Sequence, residues 1–84
     1  MADTWFNIFF DSDSQAVFIE CNVEQKDKAD FITMKLKDRS DIRFVCDDYG
    51  DGNLWYSHEC SYAEAKIIMK SMKWYASYYD RKLA

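Results

Sequence analysis

The chain has 84 residues, of which 49% are hydrophobic and 18% aromatic, with a net charge of −4. That length supports one domain near the low end of what folds unaided, and that composition excludes an intrinsically disordered chain. The charge is uneven: residues 1–60 hold six Lys/Arg against thirteen Asp/Glu, and residues 61–84 hold five against two. An acidic body with one basic end disfavours free binding to a phosphate backbone.

Taken in chain order, Thr4–Phe10 alternates Phe6, Ile8 and Phe10 with Trp5, Asn7 and Phe9, the period of a strand. Asp11-Ser12-Asp13-Ser14 is a polar turn into a second strand, Gln15–Val23, with Val17, Ile19, Cys21 and Val23 on one face. Glu24–Asp30 reads as a charged connection. Phe31–Leu36 alternates again and predicts a third strand, with Ile32, Met34 and Leu36 to one side. Lys37–Asp41 is a turn leading to a fourth strand, Ile42–Cys46. Both glycines fall in Asp47–Asn53, a hairpin loop into a fifth strand, Leu54–Glu59.

Cys60–Ala84 then predicts one long helix. Ser61 followed by Glu64 forms a capping box, in which each side chain satisfies a free amide of the first turn. Ala65, Ile68, Met69, Met72, Ala76, Tyr79 and Leu83 recur at steps of three and four, the pattern of a core face. Ile67, Trp74 and Tyr78 lie far round from that face at about 100° per residue, and Lys66, Lys70, Lys73 and Arg81 fill the remaining arc. The expected fold is α+β: a small antiparallel sheet of four to five strands, mostly hairpin-connected, with the C-terminal helix packed on one face. The whole chain, 1–84, reads as one domain.

Fifteen aromatic side chains are many for this length. If the Phe6 and Val17 sets face the helix, Trp5, Phe9, Phe18, Phe31 and Trp55 tend to the opposite side of the sheet. Either the sheet curls strongly around them or they form a second adhesive surface.

Candidate chemistry is sparse. Asp47-Asp48-Tyr49-Gly50-Asp51-Gly52-Asn53 has some acidic positions of a calcium loop, but Tyr49 stands third and His58 twelfth, and no helix precedes it. An acidic turn is the better reading. Cys46, His58 and Cys60, with Cys21, raise a zinc question, yet paired C-x₂₋₄-C or H-x₃₋₅-H spacing is lacking. The thiols read instead as free cysteines of a reducing compartment. A Cys–His nucleophile has no orienting third group in the sequence, and no glycine loop could cradle phosphate. Carboxylate pairs such as Asp11/Asp13 and Asp47/Asp48 sit in turns, whereas catalytic acids usually need a pocket. The sequence therefore predicts a protein that is not an enzyme and that carries no metal and no cofactor.

The first expectation is a protein-binding module. Its contact surface is Ile67, Trp74 and Tyr78, with Lys70, Lys73 and Arg81 at the rim. The same face could serve a symmetric homodimer. Trp5, Phe9, Phe31 and Trp55 form a second candidate surface. A small acidic chain without catalytic signature has the character of inhibitors, adaptors and phage accessory proteins, and the expectation leans to an inhibitor or modulator of a larger complex, of the anti-CRISPR-like type. One alternative is a small-molecule or nucleotide site lined by aromatics, completed at a dimer interface. Another is nucleic-acid mimicry by the acidic first sixty residues, which Lys26, Lys28, Lys35, Lys37, Arg39 and Arg43 interrupt. Base stacking on the sheet lacks the basic surround that RNA-binding sheets use. A start without basic residues and the lack of any apolar run near about 20 residues predict a cytoplasmic chain without a membrane span.

Overall fold

The computed structural model describes residues 5–83. Thr4, Ala84 and the side chain of Leu83, all named in the sequence expectations, lie outside the described residues. The architecture is α+β: a four-stranded antiparallel sheet with the long C-terminal helix and one further helix on the same face. The strands are β1 (Phe6–Asp11), β2 (Ala16–Asn22), β3 (Val45–Asp48) and β4 (Asn53–Glu59). The helices are α1 (Lys26–Ser40), entered through a 3₁₀ turn at Val23–Gln25, and α2 (Tyr62–Leu83).

The order across the sheet is β1-β2-β4-β3. Two hairpins, β1/β2 and β3/β4, are joined by the pairing of β2 with β4, in which Ile19 stands opposite Tyr56 and Cys21 opposite Leu54. Because β4 runs antiparallel to both neighbours, β2 and β3 run parallel with β4 between them. A chain that leaves one parallel strand and enters another needs a crossover, and α1 is that crossover.

This corrects the third expected strand and the charged connection before it. Glu24–Asp30 and Phe31–Leu36 do not form a loop and a strand; Lys26–Ser40 is one helix. Six alternating residues cannot distinguish a strand from part of a helix. The deciding residue is Ala29, which with Ile32 and Leu36 makes a step of three and four, and all three are buried. Of the charges that read as a solvated linker, Lys26 and Asp27 are exposed, Lys28 Nζ reaches Asp80 of α2 at 3.0 Å, and Lys26 Nζ donates to Asp30 at 2.6 Å one turn on. The helix ends at Asp41, whose backbone takes a left-handed φ of 54° and whose N–H reaches the Lys37 and Leu36 carbonyls. The fourth strand also begins later than expected, at Val45, and Val23 leaves the β2 face for the exposed 3₁₀ turn.

The core is the seam between sheet and helices. Val17, Ile19, Cys21, Leu54 and Tyr56 from the sheet meet Ala29, Ile32 and Leu36 of α1 and Ala65, Ile68 and Met72 of α2. Phe6, Ile8 and Phe10 pack against its edge, as their alternation requires. Tyr56 brings a hydroxyl to this seam, which donates to Asp30 Oδ1 at 2.7 Å, tying β4 to α1. No described helix is long and apolar enough to cross a membrane.

Candidate interaction surfaces

The register of α2 is fixed at its start. The Glu64 amide donates to Ser61 Oγ at 3.2 Å and the Ser61 amide donates to Glu64 Oε1 at 3.1 Å, the reciprocal pair that the sequence predicts. These bonds stabilise the charged carboxylate and hold Glu64 below its ordinary pKa. With the start fixed and Ala65, Ile68 and Met72 facing the core, residues about 130° away must face outward.

Ile67, Trp74 and Tyr78 occupy that outward stripe and are 72%, 57% and 39% exposed. The rings of Trp74 and Tyr78 stack at 5.5 Å and 8°, one helical turn apart. The stripe does not stop at α2. Tyr78 also stacks on Phe31 of α1 at 6.1 Å and 22°, and Phe31 meets Tyr79 at 5.3 Å. Lys82 Nζ lies 5.6 Å from the Phe31 ring centroid and 6.0 Å from that of Tyr78, while Lys35 Nζ lies 5.4 Å from Phe31 on the α1 side. Cations over ring faces contribute about 0.5–1 kcal/mol each at exposed sites. The result is a continuous aromatic ridge across both helices, flanked by Lys70 and Arg81 on one side and Lys35 and Lys82 on the other.

Two residues move relative to the sequence expectation. Phe31 leaves the sheet surface and joins the helix ridge, because its segment is helical. Lys73, named as a rim residue, lines a groove beside β1 with Phe6, Lys28 and Asp80. Lys35 and Lys82 were missed; once α1 is read as a helix, Lys35 is the i+4 neighbour of Phe31, the signal that would have found it.

The opposite face of the sheet is bare of helices. Phe9 and Phe18 are directly paired across β1 and β2 and stack at 5.4 Å and 12°, and Trp55 of β4 meets Phe18 edge-on at 6.0 Å and Phe9 at 6.5 Å. All three are half-buried, chiefly against one another, and Trp5 precedes β1 and is also half-buried. Glu20 and Asp47 stand opposite Trp55 on its two neighbouring strands. The second candidate surface thus consists of Phe9, Phe18 and Trp55 with an acidic border, without Phe31.

The cysteines and the histidine are dispersed. Cys21 is buried in the core, Cys46 is exposed on the edge strand, and Cys60, between β4 and α2, packs at the core margin. The His58 ring packs against Phe44, and its Nδ1 lies 2.9 Å from the Arg43 carbonyl oxygen. Among the described residues no group of three His, Cys, Asp or Glu side chains converges as a metal site would require. In the Asp47–Asn53 loop the carboxylates of Asp48 and Asp51 accept from the amides of Gly50 and Asn53 at 2.9 and 3.0 Å. Those carboxylates serve the turn itself. An open groove of about 530 Å³ between α1 and the β3 end is lined by Asp30, Thr33, Met34, Lys37, Arg43 and Phe44, with one aromatic ring among them.

No family model, characterised protein or solved structure matches this chain.

Proposed function

We propose that the chain is a small non-enzymatic protein-binding module whose contact surface is the ridge of Ile67, Trp74, Tyr78 and Phe31, and whose partner presents an acidic surface with apolar inlets. The observation that carries this reading is the stacking of exposed rings on the face of α2 directed away from the core. Folding accounts for the buried stripe of the same helix and leaves this one without a structural duty. Large apolar groups left in water are the usual mark of an interface. Trp, Tyr and flanking cations are the residue types that anchor such contacts, the aromatics supplying affinity and the charges supplying orientation.

The basic flank argues for an acidic partner and against a second copy of the same ridge. In an antiparallel self-pairing of α2, Lys70 would meet Arg81 or Lys82 of the other copy, like charge against like charge. A modulator or inhibitor of a larger complex, the anti-CRISPR-like role included, is the functional class that a small chain with such a contact ridge suits. The aromatics do not converge on a pocket, which weighs against the small-molecule and nucleotide reading. Acidic mimicry of nucleic acid has weaker support, because Lys26, Lys28, Lys35 and Lys37 line α1 between its acids.

The test is affinity capture from an extract of the native host, with the wild-type chain beside Ile67→Ala/Trp74→Ala. Both residues are exposed, so the variant keeps its fold and loses less than about 0.5 kcal/mol of stability at each site. The expected result is a protein retained by the wild type and weakened at least about 30-fold in the variant, the loss typical of an interface anchor. Equal retention by both chains would overturn the assignment.

A further inference from the structure

The two aromatic surfaces lie on opposite sides of a thin molecule, 17 Å across its shortest axis, and they carry opposite charge. On the outward face of the sheet, every outward strand position that is charged is acidic; Arg43, just before β3, borders one corner beside Val45, Ser57 and Glu59 and is paired with Asp41 at 3.2 Å. Glu20, Asp47 and Glu59 make no ion pair among the described residues. On the helix ridge, Lys70 and Arg81 are likewise without an acidic partner among the described residues. Each face therefore offers what the other lacks.

We propose that the chain associates with further copies of itself head to tail, the α2 ridge of one copy lying across the outward sheet face of the next. This rests on the reading of the ridge as a contact surface and adds a specific occupant for the sheet. The geometry suits it. A helix face packs on a sheet as readily from outside as from within the same chain. From Ile67 to Arg81 the ridge runs about 21 Å at 1.5 Å per residue, and four strands spaced about 4.8 Å apart present about 14 Å between outer strand axes. The ridge can thus span the sheet, setting Trp74 and Tyr78 against Phe9, Phe18 and Trp55 while Lys70 and Arg81 reach Glu20, Asp47 or Glu59. A ridge-to-ridge dimer would instead oppose like charges.

One helix face on one sheet face covers roughly half of the ~800 Å² per partner typical of stable complexes, so the contact is weak and exchanges quickly. Because the two faces point in opposite directions, the contact is heterologous and does not close. Self-association also covers the ridge that the proposed partner needs, so a strong partner would dissolve the stacks by competing for it.

The test uses the purified chain alone, followed by sedimentation velocity up to about 1 mM, the range in which an interface this small is populated. The wild type should sediment faster as concentration rises, and this should weaken about 10-fold or more between low and high salt, as screening demands. A sheet variant, Glu20→Lys/Asp47→Lys, and a ridge variant, Ile67→Ala/Trp74→Ala, should each remain monomeric. Mixed together they should form a pair that grows no further, since the sound ridge of one fits the sound sheet of the other. A wild type that stays monomeric throughout overturns the proposal, as does a sheet variant that associates like the wild type or a mixture that forms no pair. None of these outcomes touches the ridge's binding of a foreign protein, which the capture experiment reads separately.

Discussion

Tyr56 and Cys21 carry the residue-level argument, because both place a protonated group inside the seam between sheet and helices. The Tyr56 hydroxyl donates to Asp30, which also accepts from Lys26, so the phenol ties α1 to the sheet through an anion that solvent still reaches. Tyr56→Phe keeps the packing and removes that bond, and should lower stability by about 1 kcal/mol in a denaturant titration. Burial also pushes the Cys21 thiol from its ordinary 9.0 to about 11, and burial pushes Tyr56 and Cys60 upward too. Between pH 9 and 11 the folded chain keeps a proton on Cys21 that the unfolded chain releases. That contribution is fully present below pH 9 and is lost as pH rises through about 11. Melting temperature should therefore fall across this alkaline window. Cys21→Val should fall less steeply, with the remaining slope coming from the other raised groups. An identical slope in both chains would contradict the assignment to Cys21.

At the scale of elements, the hairpin loop between β3 and β4 gives a clean test of backbone strain. Gly50 and Gly52 sit at φ of 77° and 89°, and a Cβ at either would meet no atom within 4 Å. Gly50→Ala and Gly52→Ala should each cost about 1 kcal/mol in thermal unfolding, through conformation alone. Gly52 is the more sensitive in geometry, since its carbonyl accepts the Val23 amide at 2.9 Å and so links the loop to the start of the α1 connection. Which elements the sequence reveals follows from how local their signals are. The Ser61/Glu64 box and the long three-four repeat fix α2, and alternation fixes β1 and β2, because each pattern completes itself within its own segment. Helix α1 hides because its buried positions are few, Ala29, Ile32 and Leu36, and its most hydrophobic stretch, Phe31–Leu36, happens to alternate. The β2–β4 pairing was not legible at all: it depends on α1 being a crossover, a fact of tertiary arrangement.

For the whole molecule, the consequence of that arrangement is polarity. Once both helices cover one side of the sheet, Phe31 passes from the acidic face to the basic ridge, while Phe9, Phe18 and Trp55 stay together on the other. The sequence names the ridge residues of α2 correctly as outward-facing but not the contribution of α1, since Phe31, Lys35 and Lys82 meet only when two helices pack. The charge contrast between residues 1–60 and 61–84 is visible in the sequence, yet its meaning is spatial: two aromatic surfaces of opposite sign on opposite sides. The account's central claim is that the α2 ridge is where a partner protein binds. It is tested most directly by radical footprinting of the captured complex against the free chain. Trp74, Tyr78 and Ile67 should be modified several-fold more slowly in the complex, while Tyr49, exposed in the loop between β3 and β4, is unchanged. A complex in which Trp74 and Ile67 react as fast as in the free chain would contradict the account.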